Sequence, residues 1–255
     1  MKNPLAFIIQ ARTGSTRLPG KMVLPFYNEK SILQLLIERL QFFFPSHPII
    51  LATTTKENDN TLIGLAKHLG IGYFAGSEEN VLNRFIEASL HFGHHEFARI
   101  CADNPFLNAD FLKRMTDHWD QHTGSGIDYL SYQVHPGLPT IKSHLGLFAE
   151  ITTRQALQKA AMLTNELLYQ EHVTNYLYTH AGIFNCHFLN LPAELQGYED
   201  VRFTVDTPED FQIQQFLFSQ VQEGPGYDLS RLLAIINEHP DIKHKMQIEI
   251  VKNSK

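Results

Sequence analysis

Leu5-Ala-Phe-Ile-Ile-Gln10 runs without a break into Ala11-Arg-Thr-Gly-Ser-Thr-Arg-Leu-Pro-Gly-Lys21. The apolar half reads as a strand covered on both faces, hence as part of a parallel sheet wound with helices. In open sheets of that kind, ligands bind beyond the carboxyl ends of the strands, where the polar half must lie. Gly14 and Gly20 allow backbone N–H groups to approach an anion closely, and Arg12 offers a planar fork while Lys21 offers a compact charge. Ser15, Thr16 and Arg17 add donors. A surface turn with solvated charges has the same composition, so the loop alone leaves both readings open. It is no Walker A loop, because five residues rather than four separate Gly14 from Gly20 and Met22 stands where Ser or Thr would hold magnesium. No GxGxxG is present either, which disfavours a dinucleotide-dependent oxidoreductase.

Working outward, strand and helix patterns alternate through the first half. Ser31–Phe43 carries a helical apolar stripe behind a Ser cap, Ile49–Ala52 a strand, and Asn58–Leu69 a helix stopped by Gly70. Ile71–Phe74, Asn80–His91, Phe97–Ala102 and Ala109–Gln121 continue as strand, helix, strand, helix. Beyond Gly124–Gly126 the pattern predicts strands at Ile127–Tyr132 and Leu145–Ile151, separated by a loop at His135–Pro139. Helices at Thr153–Met162 and Glu166–His180 follow, then strands at Ile183–Leu189 and Arg202–Val205, and helices at Pro208–Gln222 and Leu229–Glu238. Residues 1–240 read as a single α/β domain with an inserted subregion at 130–200. Residues 241–255 read as a polar tail, whose Ile-Glu-Ile could add a strand.

The chain has 255 residues and a formal charge of −6, weak grounds against nucleic acid as the main partner. Residues 1–28 hold Lys2, Arg12, Arg17 and Lys21 and no carboxylate, a local +4 on an otherwise acidic protein that suggests a bound anion. No apolar run is long enough to span a bilayer or serve as a signal-peptide core, so a soluble cytoplasmic protein with no membrane insertion is expected. Cys101 and Cys186 are expected as separate buried thiols. His91, His94 and His95 lack the companions of a zinc site.

Two aspartates end apolar strands at the same rim as the loop: Asp103 in Arg99-Ile-Cys-Ala-Asp-Asn-Pro105 and Asp206 in Arg202-Phe-Thr-Val-Asp206. One or two carboxylates plus phosphate oxygens and water suit magnesium, so Asp103 and Asp206 are candidate metal ligands. For the second, Thr207, Pro208 and Asp210 also make an ordinary helix start, which accounts for those residues but not for Asp206. Glu78 and Glu79 at a helix start complement its dipole without further role.

The stretch IIQARTGSTRLPGKMV resembles the opening motif of the sugar cytidylyltransferases, the family of 3-deoxy-manno-octulosonate and acylneuraminate cytidylyltransferases. The spore-coat polysaccharide biosynthesis protein F branch is the nearest likeness. Gly76-Ser-Glu-Glu-Asn-Val-Leu82 with Arg84, the segment around Asp103, Glu171-His-Val-Thr174 and Arg202–Asp210 extend the resemblance over residues 5–220. His144-Leu-Gly-Leu-Phe148 is similar to a further strand motif of the octulosonate enzymes.

The resemblance implies a GT-A-like nucleotide-diphospho-sugar transferase fold, a Rossmann-like variant. Its mixed, mostly parallel sheet has helices on both faces, and the protein is usually a homodimer. It implies Mg2+ as cofactor, with CTP and a small sugar as substrates. Arg12, Lys21 and Asp103 would carry the chemistry. Ala11, Gly14, Ser15, Arg17, Ser77, Asn80 and Arg84 would join Arg12 and Lys21 around the nucleotide, with Ala11 and Ser77 near the base. His144, His172 and Lys142 would fall near the acceptor, although His172 and Lys142 also read as a core histidine and a solvated lysine. Two departures concern the acceptor side: Ala-Asp-Asn-Pro replaces a frequent Gly-Asp-Cys-Pro, and Gly137-Leu-Pro-Thr-Ile-Lys142 replaces a Gly-Leu-Asp segment. A GT-A glycosyltransferase using a ready-made nucleotide sugar is the rival enzyme, disfavoured because Asp103 is not part of a DxD. A non-catalytic nucleotide-binding paralogue is the rival outside enzymes.

Overall fold

The computed structural model describes residues 4–253, so Lys2 and the last two residues of the expected tail lie outside it. The strands are β1 (Ala6–Gln10), β2 (Ile49–Thr54), β3 (Gly72–Gly76), β4 (Glu96–Cys101), β5 (Tyr129–His135), β6 (Leu138–Pro139), β7 (Glu150–Thr153) and β8 (Cys186–Asn190). Among the described residues these form one eight-stranded sheet in the order β3-β2-β1-β4-β7-β5-β6, with β8 alongside β5. β1 pairs in parallel with β2 and β4, and β2 with β3, while β7 runs antiparallel to both β4 and β5. The sheet is therefore mixed and mostly parallel, as the alternating pattern predicts.

The helices are α1 (Ile32–Phe43), α2 (Asn60–His68), α3 (Val81–His91), α4 (Ala109–Gln121), α5 (Arg154–Leu163), α6 (Leu167–Glu171), α7 (Asn175–Thr179), α8 (Pro208–Val221), α9 (Leu229–Glu238) and α10 (Pro240–Lys252). They cover both faces. Phe7 and Ile9 of β1 enter one core with Leu36 of α1, Phe111 of α4, Leu217 of α8 and Leu232 of α9. Ala6 and Ile8 enter the other with Phe85 of α3 and Leu157 of α5. Successive residues of a strand point to opposite faces, so only a continuous apolar run satisfies both cores. Each large side chain so buried contributes about 1.5–3 kcal/mol relative to exposure.

Four expectations need correction. The predicted strand Leu145–Ile151 starts only at Glu150, because Gly146 adopts φ +61° and lies against the backbone of Phe203 and Thr204. The stretch Arg202–Val205 is buried but joins no ladder. Its amides cross between two loops instead, Phe203 N–H to the His144 carbonyl and Val205 N–H to the Asp103 carbonyl, each at 2.9 Å. The helix predicted over Glu166–His180 breaks into α6 and α7 around His172–Thr174, where Val173 is buried in the second core and the Thr174 hydroxyl is drawn to Glu150. The expected polar tail is α10, which starts on Pro240 and buries Met246, and its Ile248-Glu-Ile250 is helical rather than a strand. Cys101 and Cys186 are free, as expected, but half-buried rather than buried.

Candidate active site

The loop after β1 is anchored by a residue that the sequence reading overlooks. Asp59, 1% exposed, accepts from the Thr13 N–H (2.7 Å) and hydroxyl (2.6 Å) with one oxygen and from the Thr54 hydroxyl (2.5 Å) with the other. Burial pushes its carboxyl pKa up, but the hydrogen bonds from Thr13 and Thr54 outweigh this and hold it below the usual carboxylate range. Within the loop, the Ser15 and Gly20 amides both donate to the Thr13 carbonyl, at 2.9 and 3.0 Å, and Gly20 takes the left-handed φ of +71° that this turn requires. The Ser15 hydroxyl accepts from the Leu18 amide. These amides organise the loop rather than face outward.

The loop delivers Lys21 to the rim where β4 ends. The Lys21 ammonium donates to the Val205 carbonyl (2.5 Å) and stands 3.3 Å from Asp206 Oδ1 and 3.5 Å from Asp103 Oδ2. Arg17 reaches the same Asp206 oxygen at 3.0 Å and also donates to the side-chain carbonyl of Asn253, just past α10. Segments distant in sequence thus place two carboxylates and two cations together.

Behind Asp206 stands Arg202, which is fully buried. It donates to Asp206 Oδ2 (3.0 Å), to both oxygens of Asp210 (2.7 and 2.8 Å) and to His144 Nδ1. Burial alone would lower the guanidinium pKa; Asp210 and Asp206 together raise it. Asp210 completes the predicted capping box with Thr207 and, in addition, grips Arg202. His144, 5% exposed, therefore accepts a hydrogen bond from Arg202 behind the aspartate, a correction to its expected place in the acceptor pocket.

At the other end of the loop, Arg12 is 43% exposed and lies 3.6 Å from Glu78, whose second oxygen is 2.5 Å from Lys56. Glu78 thus has ion partners that its helix-start reading does not require. A Cβ on Gly14 would lie 3.4 Å from the same Glu78. The Ser77 hydroxyl accepts from the Asn80 amide, and the Asn80 side chain caps α3 by accepting from the Asn83 amide. Arg84 is fully buried and donates to the Ser77 carbonyl at 2.6 Å, so it shapes this turn rather than meeting a ligand. Burial first, then the nearby Arg12, brings its pKa down to about 10. Ala11 is packed into the core with its N–H on the Ala52 carbonyl.

Between this rim and the segment carrying α6 and α7 lies a cavity of about 560 Å³. Asp103, Asp206 and Arg17 line one end, and Lys142, His172 and Tyr178 line the other. On its floor Arg99 Nη1 meets Glu150 Oε2 at 2.5 Å, while Arg99 Nη2 donates to Gln10 Oε1 at 3.0 Å. Glu150 carries no motif in the sequence and is hidden in an apolar run. Tyr129 is fully buried, and its hydroxyl donates to Glu150 at 2.5 Å.

Among the described residues, no group of three or more His, Cys, Asp and Glu could hold a metal ion by itself. Asp103 and Asp206 approach the same ammonium and line the same cavity. Two hard carboxylate donors that rely on substrate oxygens and water for the remaining positions fit magnesium rather than zinc.

The sequence profile described as cytidylyltransferase matches residues 6–238. The chain is 32% identical over 245 residues to the spore coat polysaccharide biosynthesis protein SpsF of Bacillus subtilis, covering 94% of this chain and 96% of that one. It is 34% identical over 240 residues to an uncharacterised protein of Methanocaldococcus jannaschii, covering 93% and 92%. A cytidylyltransferase structure from Leptospira borgpetersenii superimposes with a TM-score of 0.83 at 27% identity, covering 96% of this chain and 98% of that one. The fold is also that of a CMP:2-keto-3-deoxy-manno-octonic acid synthetase solved with CTP, with a TM-score of 0.62 at 16% identity over 85% of this chain and 99% of that one. The chain belongs to the cytidylyltransferase family of nucleotidyltransferases.

Proposed function

We propose that the protein is a magnesium-dependent cytidylyltransferase that converts CTP and a sugar into a CMP-sugar and pyrophosphate. The sugar would be a nonulosonic acid or a related surface-polysaccharide precursor. The observation that carries this reading is the Lys21 ammonium set between Asp103 and Asp206, with Arg17 on the same oxygen of Asp206. In line, the acceptor oxygen would form a bond to the α-phosphorus as the bond to the β-phosphate bridge breaks. Lys21, Arg17 and Arg12 would bind the charge that collects on pyrophosphate. Magnesium, held by Asp103 and Asp206, would neutralise the triphosphate and polarise it. Lys142 and His172 would bind the acceptor at the far end of the cavity, and His144 would steady Asp206 through Arg202.

SpsF, by its name, concerns spore-coat polysaccharide. That supports a polysaccharide precursor as acceptor without fixing which one. No helix among the described residues is long and apolar enough to cross a membrane. An exposed apolar cluster of Met162, Leu163, Leu167 and Leu168 beside the cavity supports a homodimer, since a second copy would cover it. CTP as substrate fits a cytoplasmic location.

The test is a pyrophosphate-release screen over the four nucleoside triphosphates and a panel of nonulosonic acids and sugar phosphates, with magnesium titrated against chelator. Release with CTP that requires magnesium and is abolished in Asp103→Asn is the expected result. Wild-type turnover by Asp103→Asn would show the metal assignment to be wrong, and CTP binding without turnover on any acceptor would favour the non-catalytic reading.

A further inference from the structure

The buried carboxylate in the cavity wall ties the sheet to the segment between α6 and α7. Glu150 opens β7 opposite Arg99 of β4 and is 2% exposed. Its Oε2 accepts from Arg99, and its Oε1 accepts from Tyr129 of β5 (2.5 Å) and from the Thr174 hydroxyl between α6 and α7 (2.9 Å). Arg99 in turn donates to Gln10, the last residue before the phosphate loop. The chain Gln10–Arg99–Glu150–Thr174 therefore spans the cavity from its nucleotide side to the wall carrying His172.

Well-packed apolar residues of similar volume often stabilise a core as well as a buried ion pair does, because both charges of the pair must be taken out of water. What the carboxylate supplies is geometry: three donors from separate elements converge on two oxygens in fixed directions. α6 and α7 are each a single short helix of Leu167–Glu171 and Asn175–Thr179, too short to hold their own conformation, so the bond at Thr174 sets where the segment between them stands.

We propose that Glu150 is a positioning residue for the acceptor side of the site: through Thr174 it holds residues 167–179 as the wall opposite the phosphate loop. The word acceptor rests on the proposed nucleotidyl transfer; the holding of the wall does not.

Thr174→Val keeps the shape of a side chain that is 1% exposed while removing its donor. Amide hydrogen exchange of the ligand-free protein is expected to rise about tenfold in 167–179, with β1 and β4 unchanged, as loss of one charge-assisted bond implies. Thr174→Ser, which keeps the hydroxyl, is expected to restore the wild-type pattern. Calorimetric affinity for CTP with magnesium is expected to stay within about twofold in both variants, since the nucleotide half is untouched. Unchanged exchange in Thr174→Val would overturn the proposal. So would failure of Ser to rescue, which would assign the effect to packing, or a parallel loss of CTP affinity, which would make the effect global. Glu150→Gln provides a second variant, expected to loosen the same segment; if it folds and exchanges like wild type, the carboxylate is not the anchor. Absence of CTP binding by the wild type would count against the proposed function and leave the exchange result standing.

Discussion

Thr13 gives both its backbone N–H and its hydroxyl to one oxygen of Asp59, at 2.7 and 2.6 Å. A residue that follows β2 thereby fixes the loop that follows β1, so the loop proposed to bind phosphate is anchored by a buried carboxylate. Asp59→Asn replaces an acceptor-only group with one that must turn an N–H toward a donor, so a loss of about 1–3 kcal/mol is expected in urea unfolding.

The same carboxylate predicts an acid dependence. Its folded pKa is depressed, so its stabilisation is fully present above the unfolded value near ~4 and is lost as pH falls through the lower folded value. Wild-type stability should fall more steeply than that of Asp59→Asn below about pH 4. Equal slopes in chemical unfolding at a series of acid pH values would contradict the assignment.

Lys21 is 8% exposed between two carboxylates, and removing it leaves Asp103 and Asp206 to repel each other across the site. Lys21→Met is expected to lower turnover about a hundredfold or more. Its melting temperature should drop in chelator and recover with added magnesium by more than the wild type gains. A scanning thermal melt with and without the ion measures both.

Arg12 lies 3.6 Å from Glu78, which would compete with a triphosphate for the guanidinium. Glu78→Gln releases that competitor and should lower the KM for CTP by about threefold, the scale of a half-exposed ion pair. The gain should shrink as salt is raised. Steady-state pyrophosphate release at two ionic strengths tests it.

Gly146 combines φ +61° with a Cβ position only 2.9 Å from the Phe203 carbonyl carbon. Gly146→Ala must push back the extended segment that carries Asp206, so a cost of about 2–4 kcal/mol is expected together with weaker magnesium activation. Urea unfolding and a magnesium titration of activity report the two effects separately.

The legible part of the site is the part written in local chemistry. An apolar run that stops on a polar residue marks a candidate rim position, so Lys21, Asp103 and Asp206 are visible in the chain before any fold is known, although the run before Asp206 joins no ladder. Asp59 escapes because its partner Thr13 lies 46 residues away and its neighbours look like an ordinary helix start. Glu150 escapes because its partners come from elsewhere in the sheet and from a helix break that periodicity smooths over. Arg84 and His144 mislead in the opposite way: motif membership identifies them, but only packing reveals that both are buried supports behind the surface that binds. The succession of strands and helices follows the alternation of patterns well through β4. It is less legible beyond, where Gly146 and the crossing segment at 202–206 override local propensity.

The docking of α10 has a practical consequence. Asn253 ends beside Arg17 at the mouth of the cavity, whereas Pro4 enters β1 from the opposite edge of the sheet. A bulky group attached at Asn253 would sit next to the loop after β1 and compete for its cations or for the entrance of the cavity. The same group attached at the exposed Pro4, ahead of β1, would sit at the other end of that strand from the loop, which makes Pro4 the better position for a label or for surface immobilisation.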